Sequence, residues 1–164
     1  MLGDRTFADL PIPYACVAFD LETCQPVVLR EGRRATAVRA SCSIPGVVTP
    51  VEWDGHLLVD GWGVNNLPIS AARELGADEV IAVSLHAPLG RRPGGIEEIA
   101  LVTLKAAITR ASDDPATADV YIPVPLTGLS SLVRVSQAMR MVEAGRQAAE
   151  RAMPAIRAAT RGGG

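Results

Sequence analysis

The chain has 164 residues, of which 48% are hydrophobic and only 4% are aromatic, so the composition fits one domain with an aliphatic core. The net charge of −2 argues against a nucleic-acid partner, and no apolar run approaches the roughly 18–20 residues that span a bilayer. A cytoplasmic location is expected, and three cysteines, an odd number, then favour free thiols over a Cys16–Cys24 disulfide. Their spacing does not suit a metal site.

The first third of the chain predicts paired strands. Tyr14–Asp20 is an apolar run typical of a buried strand, and Pro26–Arg30 returns as a second strand after a turn. A short helix over Arg34–Cys42 ends at Ile44-Pro45-Gly46, because proline disfavours helical backbone at the residue before it. Asp54-Gly55 then predicts a hairpin turn.

A strand–helix–strand pattern follows the hairpin. The apolar run His56–Val59 ends at Asp60, and a helix is expected over Leu67–Leu75 with Asn66 as its N-cap. Val80–Leu85 is typical of a buried strand, so the pattern predicts a βαβ unit in a parallel sheet. Such sheets place their chemistry beyond the carboxyl ends of the strands, which is where Asp60 lies.

The last part of the chain adds two helices and a strand. A helix is expected over Ile96–Ala111 and a longer one over Ser131–Arg157, kinked or ended near Pro154, before a disordered tail at 162–164. We therefore predict a three-layer α/β/α fold. Its mostly parallel sheet is expected to contain Tyr14–Asp20, His56–Val59, Val80–Leu85 and Val120–Val124.

Asp60 is the leading candidate for chemistry. A serine hydroxyl is a weak nucleophile and needs a base within hydrogen-bond reach, which a carboxylate at a strand end can supply. In a simpler interpretation Asp60 only caps a turn, and the residue types alone favour that interpretation. Asp20 is expected to form a turn with Thr23 rather than to act as a second acid, and His56 is expected to be exposed.

A set of short segments between Asp9 and Asp78 matches one family pattern. The segments are Asp9-Leu10-Pro11-Ile12-Pro13, Ala18–Thr23, Ala40-Ser41, Ile44-Pro45-Gly46, Val59-Asp60-Gly61, Val64-Asn65-Asn66-Leu67-Pro68 and Gly76-Ala77-Asp78. Together they resemble the second half of a bacterial patatin-like phospholipase domain. The resemblance implies an acyl hydrolase that uses a serine–aspartate dyad, without a metal or another cofactor.

The resemblance also assigns roles to three consecutive residues. Asp60 occupies the position of the dyad base, because the family carries this base in an Asp-Gly-Gly or Asp-Gly-Ala motif and the chain has Asp60-Gly61. Trp62 departs from the small residue that is usual there, so it is expected either to cap or to block the acyl pocket. Gly61 and Trp62 are accordingly the candidate substrate-binding residues.

The nucleophile of the family is not found in this chain. No serine has glycines two residues away on both sides, so the Gly-x-Ser-x-Gly elbow is lacking, and Ser41, Cys42 and Ser43 are weak substitutes. Residues 1–164 are therefore expected to form a single partial domain without the nucleophile-elbow portion.

Two hypotheses remain from the sequence. In the first, the chain is part of a hydrolase that acts on a lipid or another carboxylic ester once a second portion supplies the serine. In the second, it is a non-catalytic remnant that serves as a binding or assembly module. In either case we expect a homo-oligomer or a complex with a partner chain, because an incomplete sheet leaves apolar surface and a strand edge open.

Overall fold

The computed structural model of the chain describes residues 5–86, 92–126 and 137–161. The chain divides into two compact units, each of which is described by itself. The first comprises residues 1–77 and 107–113, and the second comprises residues 78–106 and 114–164. None of the helices in the described residues is long and apolar enough to cross a bilayer.

The first unit contains a four-stranded sheet with every neighbouring pair antiparallel. The strands are β1 (Cys16–Asp20), β2 (Gln25–Leu29), β3 (Val51–Trp53) and β4 (His56–Asp60), in the spatial order β2-β1-β4-β3. Two helices accompany the sheet, α1 (Arg34–Ser41) and α2 (Ile69–Glu74). The strands and helices expected in this part of the chain are therefore present, with bounds that shift by a few residues.

Short connections explain why the sheet is antiparallel. The β3–β4 turn consists of Asp54 and Gly55, which both adopt positive φ angles of 48° and 84°. Two consecutive left-handed residues form the turn whose twist matches an antiparallel hairpin, so the Asp-Gly signal is confirmed. β1 and β2 are likewise joined by only four residues, and a connection this short can only reverse the chain.

The core of the first unit is aliphatic, as the composition predicts. Ala18 in β1 and Leu58 in β4 are fully buried, and α1 contributes Ala37 and Ala40, which are also fully buried. Small residues on α1 allow the helix to lie close to the sheet. The core therefore sits between α1 and one face of the strands that carry the site residues described below.

The second unit is built on a parallel strand pair. β5 (Ile81–His86) pairs with β6 (Val120–Pro125), and the unit also contains α4 (Ala138–Ala159). α3 (Ile96–Ala111) begins in this unit and ends in the first. Every second residue of β6 is buried, and these residues form a core with Ala148 of α4.

The opposite face of the pair is exposed. Ile81, Val83 and Leu85 of β5 are 43%, 55% and 60% exposed, respectively. The expectation of a strand buried on both faces over Val80–Leu85 is therefore wrong. The apolar side chains of this strand alternate between a buried face and an exposed face. A run of apolar residues does not by itself distinguish a strand buried on one face from a strand buried on both.

The expected mostly parallel sheet is also wrong for the described residues. The four-stranded sheet is antiparallel, and the observed parallel pairing is confined to β5 and β6. β4 and β5 lie in different sheets, so they do not form the predicted βαβ unit. The order strand–helix–strand was correct, but element order does not specify which strand is the hydrogen-bonding neighbour. The three-layer arrangement stays a prediction.

Two helix details also differ from expectation. α2 begins at Ile69 with Pro68 in the N-cap position, because the Asn65 side chain caps the preceding turn and Asn66 does not serve as the cap. α4 continues past Pro154 to Ala159, so the proline does not end it. The expected helical start at 131–136 and the tail at 162–164 lie outside the described residues.

Candidate functional site

Asp60 ends β4 and caps the short 3-10 helix Gly61–Gly63, which consists of one turn. Its Oδ1 accepts a hydrogen bond of 2.9 Å from the backbone N–H of Trp62, and its own N–H donates to the Ser43 carbonyl oxygen at 2.9 Å. No described residue donates to Oδ2. One carboxylate oxygen is thus fixed by the turn, while the other remains available as a proton acceptor.

The half-buried Asp60 carboxylate borders a cavity of about 260 Å³, which we call the Asp60 cavity. β1 and the residues just before it form one wall, and the turn after β4 forms another. The lining residues include Tyr14, Val17, Ser41, Trp62, Asn65 and Pro68. The lining of the cavity combines a carboxylate and an amide with aromatic and aliphatic side chains.

Gly61 is placed by close backbone packing. A Cβ atom at this position would lie 2.4 Å from the carbonyl oxygen of Val17 and 2.7 Å from its carbonyl carbon. Those distances are shorter than any van der Waals contact, so only glycine lets the turn approach β1 this closely. Gly61 therefore sets the position of the Asp60–Trp62 turn against β1, whatever contact it makes with a substrate.

The serines near Asp60 direct their hydroxyl groups elsewhere. Ser41 Oγ donates to the Val17 carbonyl oxygen at 2.7 Å, and Ser43 Oγ donates to the Arg39 carbonyl oxygen at 2.7 Å. Ser43 is also fully buried, while Cys42 is an exposed free thiol. Neither hydroxyl donates to Asp60, so neither Ser41 nor Ser43 forms a serine–aspartate pair with the candidate base.

The loop after the turn is held by a second acid that the sequence analysis did not single out. Asp113, at the end of α3, accepts from the Ser70 N–H at 2.6 Å and from Asn65 Nδ2 at 3.1 Å. Burial disfavours its charge, but the hydrogen bonds from Ser70 and Asn65 outweigh burial and lower the pKa of Asp113. Asp113 thereby positions Asn65, which lines the Asp60 cavity.

Asp20 lies at the far end of β1, two pairs along the β1–β4 ladder from the Ala18–Asp60 pair at its site end. Its Oδ2 accepts from Thr23 Oγ1 at 2.6 Å and lies 2.9 Å from His56 Nδ1, while Oδ1 accepts from the Glu22 N–H at 3.0 Å. Its predicted role as a turn-former with Thr23 is confirmed. His56 is 47% exposed, as expected, but its pairing with Asp20 was not foreseen.

One group of side chains in the described part of the chain has ligand atoms close enough together to hold a metal ion. It consists of Asp20, Glu22 and His56, whose ligand atoms lie within 4.8 Å of one another. Both Asp20 oxygens already accept hydrogen bonds from the protein, and His56 Nδ1 faces the same carboxylate. These hydrogen bonds account for the arrangement as a turn that needs no cation to hold it together.

The residues that sequence reasoning missed share one property. Asp113 and Asn65 are 48 positions apart, and His56 and Asp20 are 36 apart. Neither pair has a local spacing signal, because both depend on how the strands and helix ends come together. The hydrogen-bonding type of each residue was visible in the sequence, but the partner was not.

Comparison with known proteins places this site in a family context. Residues 1–73 match the sequence model of the patatin-like phospholipases, so the predicted family resemblance is confirmed. An uncharacterized NTE family protein of Mycobacterium tuberculosis is 43% identical over 86 residues, which cover 52% of this chain and 24% of that protein.

Animal proteins show similar local identity. A putative patatin-like phospholipase domain-containing protein of Caenorhabditis elegans is 41% identical over 87 residues, or 52% of this chain and 8% of the relative. Patatin-like phospholipase domain-containing protein 7 of Rattus norvegicus is 40% identical over 84 residues, or 50% of this chain and 6% of the relative. The matched part thus spans no more than about a quarter of these curated relatives.

The packing of Gly61 gives a first prediction. Gly61→Ala should lower the free energy of unfolding by about 1–3 kcal/mol, because its methyl group collides with the Val17 backbone. Gly63→Ala is the matched control in the same turn, since a Cβ there meets nothing within 4 Å, and it should change stability by less than about 0.5 kcal/mol. Urea unfolding measures both, and equal losses would contradict the assignment.

The Asp20 turn gives a second prediction. Hydrogen bonds from Thr23, Glu22 and His56 lower the pKa of Asp20 from 3.8 to about 2, against the opposing effect of burial. A lowered pKa stabilises the folded chain above pH 3.8, and this stabilisation is lost as the pH falls toward about 2. Asp20→Asn should therefore be less stable at neutral pH and lack this acid-dependent loss.

The control for Asp20 is Asp54→Asn, which removes an exposed carboxylate from a turn that accepts asparagine equally well. Thermal unfolding between pH 2 and pH 7 compares the three proteins. Parallel pH profiles for Asp20→Asn and the unsubstituted chain would contradict the role given to Asp20.

Proposed function

Because residues 1–73 match the patatin-like phospholipases, we propose that this chain supplies the general base of a serine–aspartate acyl-ester hydrolase, with Asp60 as that base. The supporting observation is the Asp60 carboxylate. One of its oxygens is fixed by the Trp62 N–H, the other has no donor among the described residues, and Asp60 is one of the residues that line the Asp60 cavity. A lipid or another carboxylic ester is the proposed substrate.

The proposed reaction requires Asp60 only to accept and return one proton from a suitable position. In the proposed reaction its Oδ2 takes the proton of a serine hydroxyl as that oxygen attacks the ester carbonyl carbon. The carbon–oxygen bond to the alcohol then breaks, and the alcohol leaves with the proton. Water repeats the sequence on the acyl-serine and releases a carboxylic acid. Each proton is accounted for by the Asp60 carboxylate, so no metal is required.

We propose that the nucleophile comes from outside these 164 residues. Ser41 and Ser43 each donate to a backbone carbonyl, and no serine in the sequence lies in a Gly-x-Ser-x-Gly elbow. Trp62 is proposed to contact the acyl chain, since it lines the Asp60 cavity beside the base. A cytoplasmic location is proposed as well, and the three free cysteines support it.

This proposal predicts an activity that depends on a second portion of protein. The purified chain should hydrolyse short-chain p-nitrophenyl esters no faster than buffer, and a fluorophosphonate probe should label none of its serines. Adding or fusing a portion with a Gly-x-Ser-x-Gly elbow should produce both labelling and turnover. Asp60→Asn should then lower kcat by about 10²–10⁴-fold, because the serine loses its base.

Asp54→Asn is the matched control for that experiment, because it removes one carboxylate in the same unit, away from the cavity, and should leave turnover unchanged. An adduct on Ser41 or Ser43 of the chain alone, lost in Asp60→Asn, would contradict an external nucleophile. Full activity of the completed Asp60→Asn protein would contradict the base. A completed protein that folds but never turns over would favour the binding or assembly module.

We further propose that the chain associates with a second copy or with a partner chain. The supporting observation is the open face of β5, where Ile81, Val83 and Leu85 are exposed side by side along one strand. Light scattering on the pure chain should give a mass above that of the monomer. Val83→Lys should shift the mass toward the monomer.

Val47→Lys, at an apolar position that is 76% exposed in the first unit, is the control and should leave the mass unchanged. A monomer that binds no hydrophobic dye would contradict the association.

A further inference from the structure

A second cavity in the first unit has a different chemistry from the Asp60 cavity. It has a volume of about 370 Å³ and lies where the segment 10–14 passes the beginning of α1. Its lining is formed by the whole segment 10–14, which is apolar, and by Arg34 and Val38 of α1. We call this cavity the Arg34 groove.

Arg34 is unusual because it is buried without an anionic partner. The residue is only 8% exposed, and its Nε has no hydrogen-bond partner. Its side chain forms no hydrogen bond or ion pair with any part of the chain that the structure describes. A guanidinium is charged at any physiological pH, and a buried Nε–H without a hydrogen bond costs free energy. An anion in the groove would offset that cost.

Asp9 is close enough to be affected by the charge of Arg34, but it does not pair with the guanidinium. The hydrogen bonds from the Thr6 N–H and hydroxyl lower the pKa of Asp9 most, and the charge of Arg34 adds a smaller lowering. The Asp9 Oδ2 atom already accepts from the Thr6 N–H at 2.6 Å and from Thr6 Oγ1 at 3.1 Å. Asp9 therefore stays in its own turn and leaves the guanidinium free to receive an external anion.

The apolar lining identifies the rest of the ligand. Ile12 is 73% exposed and Tyr14 is 45% exposed, so the groove offers apolar surface to solvent beside the guanidinium. We propose that the Arg34 groove binds the anion of a medium-chain aliphatic carboxylic acid. The planar carboxylate pairs with the Arg34 guanidinium, and the alkyl chain lies along Ile12 and the flanking prolines. A volume near the lower end of ligand pockets favours a short or medium chain.

The groove adjoins the proposed hydrolase site, because Tyr14 lines both cavities. The ligand is of the class that ester hydrolysis releases. Binding at Arg34 nevertheless requires no reaction at Asp60, and its test reads binding alone. A failure at Arg34 and a failure of the proposed hydrolysis are thus separable.

The test is calorimetric titration of the whole chain with decanoate below its micelle concentration. We expect saturable binding at one site. Arg34→Gln should weaken it at least about tenfold, because a charge-assisted hydrogen-bond pair is lost, and Arg34→Lys should restore part of the loss. Arg39→Gln removes the same charge from an exposed position on the same helix and should bind as the unsubstituted chain does.

Further titrations separate the contribution of the carboxylate from that of the alkyl chain. Ile12→Asn alters a largely exposed residue that the fold does not require, and it should weaken decanoate binding severalfold. Acetate and decyltrimethylammonium should not bind detectably. Equal binding of decanoate to Arg34→Gln, or binding of the cationic amphiphile, would overturn the proposal. Tighter binding of decyl phosphate than of decanoate would assign the groove to phosphate-headed lipids and overturn the carboxylate assignment.

Discussion

The antiparallel ladder between β1 and β4 is the constraint on which the first unit depends. Its register places Ala18 opposite Asp60 and Asp20 opposite Leu58. At one end, the ladder delivers Asp60 to the wall of a cavity and brings Gly61 against the Val17 carbonyl group. At the other end, it brings His56 to the Asp20 carboxylate. A one-residue slip would turn Leu58 out of the core and Asp60 away from the cavity.

The elements of this ladder were predictable, but their pairing was not. Apolar runs and the Asp54-Gly55 turn identified β1, β3 and β4 from local signals. The parallel sheet was wrong because a strand–helix–strand order also fits strands that belong to different sheets. Packing between segments that are distant in sequence decides which strands pair, and a single sequence does not show this packing directly. The same reason explains why Asp113 and His56 escaped notice as partners of Asn65 and Asp20.

The candidate base was assigned in a different way. Asp60 stands in a short motif of consecutive residues that resembles a family pattern, so naming it needed no knowledge of tertiary contacts, and its role as the base stays a prediction. Gly61 was assigned as a substrate-binding residue by resemblance, and the structure gives it an additional packing role against β1. A glycine required for close backbone approach and a glycine required for ligand access look identical in a sequence, and only the distance to Val17 reveals the first role.

The two charged side chains of the first unit's cavities differ in how they are held. Asp60 is fixed through one oxygen by the turn that it caps, and its second oxygen is left for a proton. Arg34 is fixed by burial of its stem, and its guanidinium is left without an anion among the described residues. Arg34 Nε is buried without a partner, which lowers the stability of the fold, whereas the free oxygen of Asp60 is not among the buried unpaired atoms of the described residues. A protein retains a buried unpaired charge most readily where a ligand completes it, which is the physical reason to expect a ligand at Arg34.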